Sequence, residues 1–341
     1  MSSTSNDPWA WLGLLKWSLA YSDGTSPSAT NPLSDSDREF LEKVMKEGII
    51  NEGDRMRTIL EEVTTQFQKW KDTKSYTQEE DDQVSDLLQE LRDIVEQIDY
   101  ATAFCSLQGL PFLLGCAQET ECIPRSSRLI SLGILATLCQ NNPEVQKQLL
   151  ERGALQLLSD LFFATTDDGE LRSRILQAIS ANVRSYDLAE AVFDQLEQSV
   201  TLLQEGLSDP STVSRALFML RALLTSDSTS RFRMTRFQPC VLYAVDNFCG
   251  ESSDVHLREM TLELVQQILL QKVSVNAVLS RKNSLVATGV ARVSELRKLA
   301  SDESAGELSL WEEVIQLLAR AQPDLVNNDV VETTRTEVPP Q

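Results

Sequence analysis

GALQLLSDLFFATTDDGELRSRILQAISANVR (153–184) contains two apolar stretches at helical spacing, one opening at Gly153 and one at Ser173-Arg174, with a polar turn between them. Both anchors recur. Ser127-Arg128, Ser173-Arg174, Ser214-Arg215 and Leu257-Arg258 each begin a long apolar stretch, with steps of 46, 41 and 43 residues between the arginines. GLPFLL (109–114), GALQLL (153–158), QSVTLL (198–203) and PCVLYA (239–244) form a second register, at steps of 44, 45 and 41.

A period of this length with two or three helices per unit is that of HEAT and armadillo arrays. Each unit reads as a short helix, a medium one at the Gly or Pro anchor and a long one at the Arg anchor, which favours armadillo. For the third unit the spacing predicts helices over 187–195, 198–206 and 210–225. Only 13 glycines and 11 prolines interrupt 341 residues, and the intervals between them lack strand-like alternation, so the fold class is all-α. One unit cannot bury its own apolar face, so an armadillo-like solenoid of four repeats over 100–281 is expected, with helical caps over 35–99 and 282–321. Within the first cap, Thr77 and Glu80 form a capping box that opens an acidic helix. Met56, Ile59, Val63, Phe67 and Trp70 mark the helix before it. Residues 322–341 are polar and proline-tipped, an expected disordered tail.

The N-terminal segment, 1–34, has another character. Three of five tryptophans lie at Trp9, Trp11 and Trp17 within a short apolar helix that Asp7 caps and Pro8 opens, and SDGTSPSATNPLSDS (22–36) follows as a linker. Lys16 and Ser18 interrupt the run, so neither a secretory leader nor a spanning helix is expected. Docking on the solenoid and presentation to a partner are both open readings of this helix.

Acidic residues outnumber basic ones 51 to 31, giving a net charge of −20 that disfavours nucleic acid and anionic membranes as partners. Six scattered cysteines read as reduced, buried thiols of a cytoplasmic protein. No phosphate-binding glycine motif, zinc spacing or nucleophile paired with the single histidine, His256, occurs, so no catalytic residue, metal or cofactor is expected. An extended binding surface, not an enzyme, is the expected use of the fold. Arg128, Arg174, Arg215 and Arg258 begin helices, where the dipole opposes a cation, and each is expected to have an acidic partner. Arg184 ends a helix, where the dipole favours it and where it can face a partner.

CQNNPEVQ (139–146), preceded by Ala136-Thr137 and followed by ERGALQLLSDL, resembles the armadillo-type nucleotide exchange factors of the seventy-kilodalton heat-shock chaperone. Asn142 as a helix cap with Pro143 behind it gives the motif a structural reason. EQIDYATAFCSLQGLPFL (96–113), AISANVRSY (178–186), SRALFMLRALL (214–224) and LLKWSLAYSDGT (14–25) are similar to other segments of that family. Leu129, Ala136 and Asn182 depart from it, standing where the family has Trp, Gly and Leu. The resemblance implies a co-chaperone that clasps one lobe of the chaperone's nucleotide-binding domain and lowers its affinity for ADP. It implies contacts through Arg184, Arg174, Arg215, Phe218 and Arg221 of a monomer. It further implies that Trp11, Leu12, Leu14, Leu15, Trp17 and Leu19 mimic a client and help its release. The competing reading is an armadillo adaptor holding an extended peptide, which needs a ladder of Trp and Asn; Asn182 alone is placed for one, and Trp is absent from 71–310.

Overall fold

The structure, a computed structural model, describes residues 52–250, 254–271, 273, 276–299 and 305–322. The expected N-terminal helix, its linker, residues 35–51 of the expected first cap and nearly all of the C-terminal tail lie outside the described residues. Two compact units divide at Lys69–Trp70, within helix α1 (Glu52–Thr73). In the first, Met56, Ile59 and Val63 recur at helical spacing and are buried, the stripe expected from the sequence.

The regular elements among the described residues of the second unit are all helices. The capping box forms: Thr77 N–H donates to Glu80 Oε2 (3.0 Å) and Glu80 N–H to Thr77 Oγ1 (3.3 Å), starting α2 (Gln78–Val95). Then come α3 (Ile98–Ser106), α4 (Gly109–Gln118), α5 (Arg125–Leu138), α6 (Pro143–Glu151), α7 (Ala154–Ala164) and α8 (Gly169–Val183). The third unit is α9 (Asp187–Gln195), α10 (Ser199–Ser208) and α11 (Val213–Thr225). The fourth is α12 (Arg231–Arg236), α13 (Gln238–Phe248) and α14 (Val255–Gln271), and α15 (Asn276–Leu279), α16 (Lys282–Leu299) and α17 (Ala305–Arg320) follow.

The long helices pack in sequence, α2 on α5, α5 on α8, α8 on α11, α11 on α14 and α14 on α17. This row is the expected long-helix face, and α2 and α17 extend it by a rung at each end. The medium helices α7, α10 and α13 form a second row. Leucines at the repeat anchors (Leu110, Leu113, Leu155, Leu158, Leu202, Leu203) fill the interior between the rows, all buried. Burial of a leucine side chain contributes about 1.5–3 kcal/mol, which explains why this register persists while surface residues vary.

The expected third-unit helices form, but α11 starts at Val213 instead of 210. Asp209 accepts from Ser211 N–H (2.8 Å), and the Thr212 hydroxyl donates to Gly206 O (2.8 Å), holding 209–212 as a turn. The anchor glycines also differ in use. Gly153 adopts φ +70°, the left-handed conformation that starts α7, whereas in the preceding unit Gln108 takes that conformation (φ 62°). Gly109 is needed there because the Phe104 ring lies where a side chain would begin, 2.2 Å from a Cβ position.

Candidate functional site

Repeat stacking places charges in two classes. The first holds the repeats together. Arg125 on α5 donates to Asp168 Oδ1 (2.8 Å) and Glu170 Oε2 (2.7 Å), while Asp168 caps α8 by accepting from Leu171 N–H (3.0 Å). Arg172 repeats the device one unit on, reaching Asp209 (2.8 Å) and Glu205 (3.0 Å) and lying over the Phe162 ring. Between the third and fourth units Arg233 is buried against Glu190 (2.6 Å) and Asp194 (2.8 Å). Toward the C-terminal end Glu307 is clamped by Arg258 and Arg292, at 3.0–3.2 Å. Pairing and hydrogen bonding make such buried charges tolerable.

The second class has no carboxylate. Arg174, Arg184 and Arg215 form no ion pair among the described residues of this acidic chain. Arg174 donates to Gln177 Oε1 (3.0 Å), Arg215 to Ser173 Oγ (2.7 Å) and Arg184 to Ser180 O (3.3 Å). Of the four helix-starting arginines expected to have acidic partners, Arg258 alone forms an ion pair among the described residues; Arg128 donates to Ala117 O (3.2 Å) and feels Asp168 and Glu119 only through space, and neutral oxygens serve the other two. The reason is geometric: Arg128 and Arg215 start beside a main-chain carbonyl and a hydroxyl of the neighbouring helix, and Arg174 beside the Gln177 amide one turn along its own helix. Burial pushes the Arg184 and Arg215 guanidiniums below their ordinary value, and Arg174 adds to the effect at Arg215.

Arg184 and Arg215 meet at Phe218, which is 38% exposed. The Arg184 guanidinium lies 4.5 Å from its ring centre and that of Arg221 5.9 Å, so two cations flank one aromatic. Two clefts meet there. One of about 160 Å³ is lined by Gln177, Arg184, Arg215 and Phe218; one of about 530 Å³ runs between α11 and α14. Arg184, Arg215, Phe218 and Arg221, four of the five residues expected to bind the chaperone, lie together on the long-helix face, and the fifth, Arg174, is near enough to act electrostatically on Arg215, while Trp11, Leu12, Leu14, Leu15, Trp17 and Leu19 lie outside the described residues.

Arg184 is held from behind by residues that sequence reading assigned no such task. Gln146, the last residue of CQNNPEVQ, donates through Nε2 to the carbonyls of Ala181 (3.0 Å), Asn182 (3.2 Å) and Arg184 (2.9 Å). The motif therefore starts α6 through Asn142 and Pro143 and closes the end of α8 through Gln146. Asn182, fully buried, donates back to Gln146 O (3.1 Å), so its departure from Leu is a cross-repeat bond. Ser185 then turns left-handed (φ 61°), its N–H donating to Glu190 Oε1 (3.2 Å). All six cysteines are free, five of them buried, and burial pushes Cys116, Cys139, Cys240 and Cys249 up to about 12.

A family model described as nucleotide exchange factor Fes1 matches residues 12–103. Hsp70 nucleotide exchange factor fes1 of Schizosaccharomyces pombe is 29% identical over 140 residues, 40% of this chain and 47% of that protein. Hsp70-binding protein 1 of Homo sapiens is 24% identical over 215 residues, 62% of this chain and 59% of that protein. The chain resembles the Hsp70 nucleotide exchange factors. Its matched part spans about half to three-fifths of the length of these relatives. Among solved structures, a designed armadillo repeat protein aligns over 74% of this chain and 98% of its own, at 13% identity and a TM-score of 0.54, a likeness of fold. A second, solved with the peptide (KR)4, aligns at 15% identity and a TM-score of 0.52.

Proposed function

We propose that this chain is a co-chaperone that binds the nucleotide-binding domain of an Hsp70-type chaperone through the face around Phe218 and promotes release of ADP. The observation that carries the reading is the pair of guanidiniums, Arg184 and Arg215, half-buried and without an ion-pair partner among the described residues, beside an exposed aromatic in a strongly acidic chain. Such cations gain most from an acidic protein surface that excludes water from them, and arginine and aromatic side chains are the usual anchors of interfaces. The similarity to exchange factors supplies the partner.

The adaptor reading has less support, because Asn182, the residue that would hold a peptide backbone, spends its amide on Gln146 O inside the repeat stack. The N-terminal apolar segment then acts separately, occupying the chaperone's client site, and the protein works as a cytoplasmic monomer. The direct test is release of labelled ADP from a cytosolic Hsp70: acceleration at saturating protein is expected, and an unchanged rate would remove the proposal. Deleting residues 1–22 is expected to leave ADP release intact and to slow release of a labelled client peptide.

A further inference from the structure

The larger cleft on the long-helix face has walls of opposite sign. Its α11 wall carries Arg215 and Arg221; its α14 wall carries Glu259 and Glu263, one turn apart and therefore on the same side of the helix. Glu263 pairs with Arg221 across the cleft, which fixes one end. Glu259 has no cationic partner among the described residues; it is half-buried and lines the cleft with Arg215, Phe218 and Met260, and its Oε1 lies 2.9 Å from where a Cβ of Gly306 would stand, beside the first turn of α17. Further along, Gln266 on α14 donates to Glu313 on α17, so the negative character continues to the last rung. The row of long helices thus changes sign between α11 and α14.

We propose that this cleft is a second half of the contact face and takes a lysine or arginine of the bound chaperone against Glu259. The inference rests on the function proposed above, and two features extend that function to the cleft. The cleft shares Arg215 and Phe218 with the cationic cluster, so a partner seated on Phe218 also covers it. Its floor suits the aliphatic stem of a long basic side chain, whose charged head then reaches the carboxylate at the wall. Packed helices lie about 8–10 Å apart, so the partner presents acidic groups to α8 and α11 and a basic group about one such step away. Opposite charges in that order fix the direction in which the partner lies along the row, a discrimination that the arginines alone would not supply.

The test is affinity of the full chain for the isolated nucleotide-binding domain of a cytosolic Hsp70, measured by titration at two ionic strengths. Glu259→Lys should weaken binding about tenfold and Glu259→Gln by a smaller factor, with both losses shrinking at high salt because rim charges are screened. Glu259 makes no ion pair among the described residues, so Glu259→Gln, which keeps the shape of the side chain beside Gly306, should keep nearly the wild-type melting temperature. Wild-type affinity in both variants would overturn the cleft assignment while leaving the function in place. No binding by the unmodified chain would overturn the function itself, and the assignment with it. Should Glu259→Lys fold poorly, Glu259→Gln alone decides, with unchanged affinity counting against the proposal.

Discussion

Arg184 owes its position to main-chain carbonyls and its availability to the lack of an anion. Gln146 ties down the end of α8, Ser185 turns the chain, and the guanidinium is left stacked on Phe218, donating among the described residues to Ser180 O alone. Truncating Arg184 to Ala removes no ion pair from the fold, so its melting temperature should change little. Binding to the chaperone should weaken by about 2 kcal/mol, roughly thirtyfold in affinity, the scale of an interface anchor, as read by titration. Asp168 shows the opposite case, a charge used inside the chain. Hydrogen bonds from Arg125 hold its carboxyl at about 2, below the ordinary 3.8. A lowered carboxyl stabilises the fold above the unfolded value, and the contribution is lost as pH falls from near 4 toward 2. Asp168→Asn should therefore lower the melting temperature at pH 7, and the difference from wild type should close between pH 4 and pH 2.

At the scale of elements, the repeat spacing, the capping box at Thr77 and the Asn142-Pro143 helix start were legible because each rests on residues close in sequence. The joints between repeats were not. Arg233 and Glu190 are 43 residues apart, and no local pattern says that α9 and α12 bury them together with Asp194. Glu190 also accepts from Ser185 N–H and from the hydroxyls of Ser226 (2.7 Å) and Ser228 (2.6 Å), so one carboxylate joins the turn after α8 to the loop after α11. Replacing it by Ala strands Arg233 with one partner fewer in the interior. A loss of about 3–5 kcal/mol in denaturant unfolding is expected, the scale for breaking a buried pair. A second consequence separates this joint from an ordinary packing site: amide exchange should rise first at Ser185 and across 226–229, the segments it holds.

For the whole molecule, the proposed exchange activity carries a thermodynamic obligation. If the chain weakens ADP binding to the chaperone by some factor, ADP must weaken the complex by the same factor. Titrating the complex with and without saturating ADP should return a ratio of affinities equal to the ratio of ADP affinities with and without this protein. Unequal ratios would mean that ADP is not released through a shared binding equilibrium. The −20 charge enters here too, since the guanidiniums around Phe218 are local exceptions on an acidic chain.

Sequence alone determined the period, the helical class and the hydrophobic registers, because helix spacing and a repeat of 41 to 46 residues are properties of the linear chain. It also singled out Arg174, Arg184, Arg215, Phe218 and Arg221 through resemblance. Tertiary structure alone decided which arginines spend their charge inside the fold and which face outward. Arg172 and Arg174 are two positions apart on α8, yet one reaches Asp209 and Glu205 and the other donates to the neutral Gln177. Residues two apart on a helix point to different sides, so the neighbour each meets is set by how the repeats stack.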